Sequence, residues 1–147
     1  MKIVREELPE DLKSALKQYV YDIIGAMHEV YRQLDNGLPE YIYQEALLKQ
    51  LNSIGYQDIE RESIHHPMFN GEQLESYVKM DIVVHKSRGN VIIECKSIHE
   101  LTEKERYQVY GYLSATKYPI ALLVNFGSFP KAQIERYYAK DGKIYAF

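Results

Sequence analysis

Leu74-Glu75-Ser76-Tyr77-Val78-Lys79-Met80-Asp81-Ile82-Val83-Val84-His85-Lys86, the turn Ser87-Arg88-Gly89-Asn90, and Val91-Ile92-Ile93-Glu94-Cys95-Lys96-Ser97 are the stretch whose reading decides the fold. The first segment alternates and the second is nearly continuous in apolar residues, so the spacing predicts two strands joined by a tight turn. Into these strands fall Asp81, Glu94 and Lys96. Charges inside buried strands are costly unless they pair or bind metal. Two carboxylates and a lysine on neighbouring strands therefore point to chemistry, most simply a divalent-cation site.

The geometry of that site depends on register. Alternation puts Tyr77, Lys79, Asp81 and Val83 on one face, and Ile92, Glu94 and Lys96 on one face of the next strand. A turn symmetric about Ser87 to Asn90 sets Asp81 opposite Lys96 and Val83 opposite Glu94. Opposed Cβ atoms lie ~5 Å apart and diagonal ones ~7–8 Å, close enough for Asp81 and Glu94 to share one ion. A slip of one residue would separate the two carboxylates onto opposite faces. Oxygen donors of this kind suit Mg²⁺ or Mn²⁺ better than zinc. The bland alternative is a cross-strand Asp81–Lys96 ion pair with Glu94 at a solvated edge.

Outward from the hairpin, Leu12, Leu16, Tyr19, Val20, Ile23, Met27, Val30, Tyr31 and Leu34 recur at helical spacing and predict one long first helix, stopped by Asp35-Asn36-Gly37. Pro39 suits the first turn of a second helix, which carries Tyr43, Leu47, Leu51 and Ile54 and ends at Gly55. Asp58 to His66 reads as a strand, and Asn70-Gly71 as a turn. Thr102 with Glu105 is a capping-box pattern that opens a third helix running to about Thr116. Ile120 to Phe126 is a continuous apolar run, the mark of a strand covered on both faces. Asp141-Gly142 between β-prone segments predicts a small C-terminal β hairpin. The order describes an α/β fold in which a mixed β-sheet is flanked by helices, one domain over residues 1–147.

Composition narrows the class. Apolar residues make up 46% of the chain and charged ones 27%, ordinary for a globular protein. No apolar run approaches the ~20 residues that span a bilayer, and the N-terminus lacks a signal-peptide core, so no membrane association is expected. One cysteine excludes an internal disulfide and makes a cytoplasmic location the expectation. A net charge of −3 argues against a generic polyanion-coating protein, though bound metal at an enzyme's site would offset several acids. The 14 tyrosines, with no tryptophan, read mostly as half-buried packing residues. His65, His66, His85 and His99 lack zinc-site spacing with Cys95, and no Gly-rich phosphate loop or nucleophile elbow is present.

A further carboxylate, Glu40, sits in the first turn of the second helix, with Tyr43 three residues on along the same face. Gly37-Leu38-Pro39-Glu40-Tyr41-Ile42-Tyr43 matches the GxxExxY signature, and Asp81 with Glu94-Cys95-Lys96 matches the D…ExK core of PD-(D/E)XK nucleases. Gln108-Val109-Tyr110-Gly111-Tyr112-Leu113 and Leu122-Leu123-Val124-Asn125-Phe126-Gly127 are also similar to the GxxExxY proteins. The resemblance covers about Tyr21 to Tyr138 and implies a restriction-endonuclease-like fold. It makes Glu40 the helix-borne acid, Asp81 and Glu94 the main metal ligands, and the Cys95 carbonyl a further ligand. Lys96 becomes the residue that positions water and stabilises charge, and Gln108 a polar neighbour lining the site. It departs from the family at Tyr31, where a histidine is common, and at Met80, where a proline often precedes the acid. The implied activity is metal-dependent phosphodiester hydrolysis of DNA or RNA with Mg²⁺ or Mn²⁺. The alternative is an idle nuclease fold that binds nucleic acid or a protein partner. A compact domain without a reader module leaves target selection to a homodimer or a partner.

Overall fold

Ile120–Asn125 is buried at every position, and such a strand needs cover on both faces. It is the middle strand of the main sheet. The computed structural model describes residues 1–147 as β1 (Lys2–Ile3), α1 (Glu10–Tyr19), α2 (Tyr21–Leu34), α3 (Glu40–Ser53), β2 (Ile59–His65), β3 (Met68–Phe69), β4 (Glu72–Gln73), β5 (Val78–Val84), β6 (Val91–Lys96), α4 (Glu103–Thr116), β7 (Ile120–Asn125), β8 (Gln133–Lys140) and β9 (Lys143–Ala146). Seven strands form a mixed sheet in the order β1-β9-β8-β7-β6-β5-β2, and β3–β4 is a separate two-stranded hairpin. The β6–β7 pair is parallel, joined by the α4 crossover, and its neighbours β5 and β8 run antiparallel.

Two apolar clusters cover the two faces. Ile82, Val84, Val91, Ile93, Cys95, Leu122 and Val124 pack against Ile23, Met27, Leu47 and Leu51 of α2 and α3. Met80, Val83, Ile92, Ala121 and Leu123 pack against Val109, Tyr112 and Leu113 of α4. The capping box on α4 forms as expected, with Thr102 accepting from the Lys104 N–H and Glu105 accepting from the Thr102 N–H.

Two expectations change, and a third is extended. The long first helix is two helices, broken at Val20. The Tyr19 carbonyl accepts a 2.7 Å bond from Lys86 Nζ, and the Tyr19 hydroxyl donates to Gly89 O at 2.8 Å. A cation from the β5–β6 connection thus holds one carbonyl at the helix junction. The expected C-terminal hairpin forms, as β8 and β9 joined at Asp141-Gly142, and it belongs to the main sheet: β8 pairs with β7 along Ile120–Asn125 and β9 extends the sheet to β1. The Leu74 to Lys86 strand is shorter, Val78–Val84, because residues from Pro67 to Tyr77 leave the sheet as the β3–β4 arm turned by Asn70 and Gly71, both at positive φ.

Candidate active site

The β5–β6 register is Ile82–Ile93, Val83–Ile92 and Val84–Val91, two residues away from a turn symmetric about Ser87 to Asn90. Gly89 N–H closes the turn earlier, on Lys86 O at 3.1 Å, and Asn90 Oδ1 accepts from the Lys86 N–H. Asp81 therefore stands opposite Glu94 rather than Lys96, and Val83 opposite Ile92 rather than Glu94. A shift of two preserves side-chain parity, so the two acids stay together.

At Asp81 the ladder stops. Its Oδ2 accepts the Cys95 N–H at 2.9 Å, and its own N–H points at Glu94 Oε1 at 3.4 Å. Carboxylates have replaced carbonyls in the strand-to-strand bonding. Glu94 is 3% exposed, so it is not at a solvated edge. Its partner is Lys96, whose Nζ lies 3.4 Å from Glu94 Oε2 and donates to Gln108 Oε1 of α4 at 2.7 Å. The ion pair in the sheet is Glu94–Lys96.

Burial and the neighbouring Asp81 push the Glu94 carboxyl up to about 8. Burial raises Asp81 as well, with Cys95 N–H and Lys96 opposing and Glu62 adding to the rise. One ammonium faces a buried and a half-buried carboxylate, so ionising both leaves negative charge uncompensated. Glu40, in the first turn of α3, is open to solvent. Partial desolvation raises it, Lys96 lowers it and Asp81 raises it. The Cys95 thiol points into the α2–α3 side of the core, where burial holds it well above its usual range, so only its carbonyl is free to serve the site.

No three His, Cys, Asp or Glu side chains converge closely enough to enclose an ion by themselves. The donors present are carboxylate and main-chain oxygens around an excess of negative charge. They fit a hard divalent ion that keeps several waters, the habit of Mg²⁺.

A model of the PD-(D/E)XK nuclease superfamily matches residues 17–137. The chain belongs to that superfamily. The mixed α/β sheet flanked by helices is consistent with that fold. Among solved structures, "Crystal structure of SSO0001" is similar at a TM-score of 0.50 and 14% identity, covering 66% of this chain. The aligned region spans about half (48%) of that structure's chain, and at this identity the likeness is one of fold. A comparison with curated protein sequences finds no match.

Seen as a PD-(D/E)XK protein, the chain spends several residues on holding the site in place. Tyr43 is fully buried and stacks on Phe126, with ring centroids 4.5 Å apart and planes 7° apart. Its hydroxyl donates to Asp35 O and accepts the Leu38 N–H at 3.2 Å, so it staples the loop that delivers Glu40. Ser97 Oγ donates to Leu38 O at 2.5 Å and ties that loop to the end of β6. Tyr31 donates to Ser128 O at 2.7 Å.

Three site neighbours were not read as site residues from the sequence. Asn125 is fully buried and accepts from Ile98 N–H and Gly127 N–H at 3.0 Å while donating to Ile98 O at 2.9 Å. It pins the segment just after Lys96. Tyr112 presents its phenol to Glu94 and Gln108; burial, with the nearby Glu94 and Asp81 carboxylates, raises its pKa, and Gln108 opposes the rise. Glu62 sits across from Asp81 on β2 with φ 50, at a gap in the β2–β5 ladder. The i, i+4 relation of Gln108 to Tyr112 was the one available hint, since both share a helix face.

Proposed function

We propose that the chain is a metal-dependent nuclease that hydrolyses phosphodiester bonds of DNA or RNA, with Glu40, Asp81, Glu94 and the Cys95 carbonyl serving Mg²⁺ or Mn²⁺. The observation that carries this is the pairing of half-buried Asp81 with buried Glu94, joined through Lys96 to Gln108 where the β5–β6 ladder opens. When bound, the ion supplies a lowered water pKa and a clamp on phosphate oxygens. In the reaction, water oxygen forms a bond to phosphorus as the bond to the leaving oxygen breaks, and the leaving oxygen takes up a proton. Asp81 and Glu94 hold the negative pole of the site. Lys96, fixed by Glu94 and Gln108, orients water and offsets charge on the phosphate.

The test is a Mg²⁺ and Mn²⁺ titration with cleavage assays on single- and double-stranded substrates, comparing wild type with Asp81→Ala and Lys96→Ala. We expect Asp81→Ala to lose both metal binding and cleavage, and Lys96→Ala to lose cleavage while retaining most metal binding. Equal loss of both by Lys96→Ala removes its proposed role. A second reading, an idle nuclease fold that binds nucleic acid or a protein partner, draws on the −3 net charge and the absence of a converged three-residue side-chain cage. Metal binding without cleavage of any substrate favours it.

A further inference from the structure

Arg61 is an exposed arginine held by a neutral partner. Its Nε donates to Gln44 Oε1 at 2.8 Å, and Gln44 is only 6% exposed. A buried polar side chain needs a partner, and here the partner is a cation at the surface. No carboxylate lies within ion-pair distance of Arg61, and its two terminal amino groups make no bond within the chain. Arg32 and Arg106, by contrast, are held by glutamates. A carboxylate orients a guanidinium and cancels its charge. The Gln44 amide orients it and leaves both the charge and the outer fork of donors unspent.

Two routes place Arg61 beside the acid pair. Along α3, Gln44 lies four residues after Glu40 on the same helix face, a rise of ~6 Å. Glu40 itself is turned to the site, since Lys96, Asp81 and the Ser97 N–H all act on its carboxyl. Across the sheet, Arg61 pairs with Ile82, the residue after Asp81, on a strand ~4.8 Å away. Ile82 packs on the α2–α3 side, and the Gln44 bond puts the Arg61 head on that side too. Glu62, the next residue, adds its charge at Asp81 and forms no ion pair with Arg61. The rise from Glu40 to Gln44 is one to two nucleotide steps of ~3.4 Å. Planar paired donors fit phosphate oxygens, so an arginine at this offset meets the strand at a phosphate beside the one attacked.

Resting on the nuclease reading, we propose that Arg61, oriented by Gln44, binds a phosphate of the nucleic-acid strand one or two nucleotides from the bond that is cut. The test follows the anisotropy of a short fluorescein-labelled DNA strand and its RNA counterpart, single and duplex, over about 50–200 mM NaCl. Arg61→Ala should weaken binding roughly 10-fold, the lower end for one hydrogen-bonded charge. It should also flatten the plot of log K against log salt by ~0.7–0.9, the share of one phosphate. Arg61→Lys keeps the charge and loses the fork, so the slope should return while part of the affinity stays lost. Lys49→Ala removes another exposed cation five residues beyond Gln44 on α3 and should change neither quantity. Because Arg61 is exposed, its variants should melt with wild type, and in cleavage Arg61→Ala should raise KM far more than it lowers kcat.

An unchanged slope in Arg61→Ala, an equal change in Lys49→Ala, or a loss of binding that tracks a lowered melting temperature each overturns the proposal. So does a wild-type protein that binds none of the strands. Binding that depends on Arg61, without cleavage in Mg²⁺ or Mn²⁺, removes the nuclease reading and leaves the phosphate contact. Cleavage whose KM and salt dependence ignore Arg61→Ala removes the contact and leaves the nuclease.

Discussion

Replacing Asn125 with alanine should destabilise the fold by about 2–4 kcal/mol. The side chain is fully buried and makes three bonds, accepting from Ile98 N–H and Gly127 N–H and donating to Ile98 O. Each polar group left unsatisfied in a protein interior costs ~1–3 kcal/mol. Ile98 and Gly127 are only half-buried, so water recovers part of that sum. With a urea slope of ~1–3 kcal/mol/M for a small domain, the midpoint should fall by roughly 1–2 M. Asn125→Asp sharpens the test. An aspartate keeps both acceptors but sets an oxygen against Ile98 O and buries a charge, so its folded-state pKa rises above the unfolded value. For an acid shifted that way the penalty is present above the folded pKa and vanishes below the unfolded one. The Asn125→Asp variant should therefore gain stability relative to wild type as pH falls, as the protonated acid restores a donor, whereas Asn125→Ala should keep its deficit throughout. Urea melts at pH 5 and pH 8 measure both. A deficit under ~0.5 kcal/mol in Asn125→Ala refutes the claim that this side chain pins the strand end.

Gly127→Ala should be costly, because a Cβ there would lie 2.3 Å from Ile98 O and 2.4 Å from Ile98 N, both backbone atoms that cannot swing aside. Gly25→Ala, in the interior of α2 with nothing within 4 Å, should instead stabilise by ~0.5–1 kcal/mol, and paired thermal melts decide between the two signs. Tyr43→Phe keeps the stack on Phe126 but loses the bonds to Asp35 O and Leu38 N–H, so we expect a loss of ~1–2 kcal/mol by denaturant titration. Glu135 is held below its ordinary pKa: burial pushes it up, but the two 2.8 Å bonds from Arg106 and the Tyr137 hydroxyl outweigh that. A lowered acid contributes stability above its unfolded pKa of ~4.3 and loses it as pH falls through the folded value, so Glu135→Gln should flatten the acid limb of the stability–pH curve. An unchanged limb in that variant would assign the acid sensitivity elsewhere.

What could be read from the chain followed the range of the forces involved. The capping box at Thr102 and Glu105 is a local device, and it is present as read. So is the stop at Asp35-Asn36-Gly37, where Asp35 takes a positive φ and ends α2. The break at Val20 was hidden because its agent, Lys86, arrives from 67 residues away in sequence. The role of Tyr43 was half legible. Its place three residues after Glu40 suggested a shared face, but its partners Asp35, Leu38 and Phe126 come from a loop and a distant strand, so it reads as a staple only in three dimensions. Four exposed tyrosines, Tyr21, Tyr41, Tyr77 and Tyr107, escape the packing role that composition suggested for nearly all fourteen.

The acid pair shows why parity survived where pairing did not. Strict alternation would place Met80 with Ile82 and Val84, yet Met80 packs with Val83 on the α4 side while Ile82 and Val84 face α2 and α3. The alternation breaks at Asp81, and both of its register partners, Glu62 on β2 and Glu94 on β6, fall at gaps in the ladders. The cause is in the bonds: the Asp81 carboxylate takes the Cys95 N–H, and the Asp81 N–H turns to Glu94 Oε1. Side-chain oxygens stand in for main-chain carbonyls, the strands part, and the polar groups gather in the opening. The interaction that assembles the site is thus the one that interrupts the repeat from which the strands were inferred. A register error of two residues leaves that gathering intact, while an error of one would have put Asp81 and Glu94 on opposite faces of the sheet.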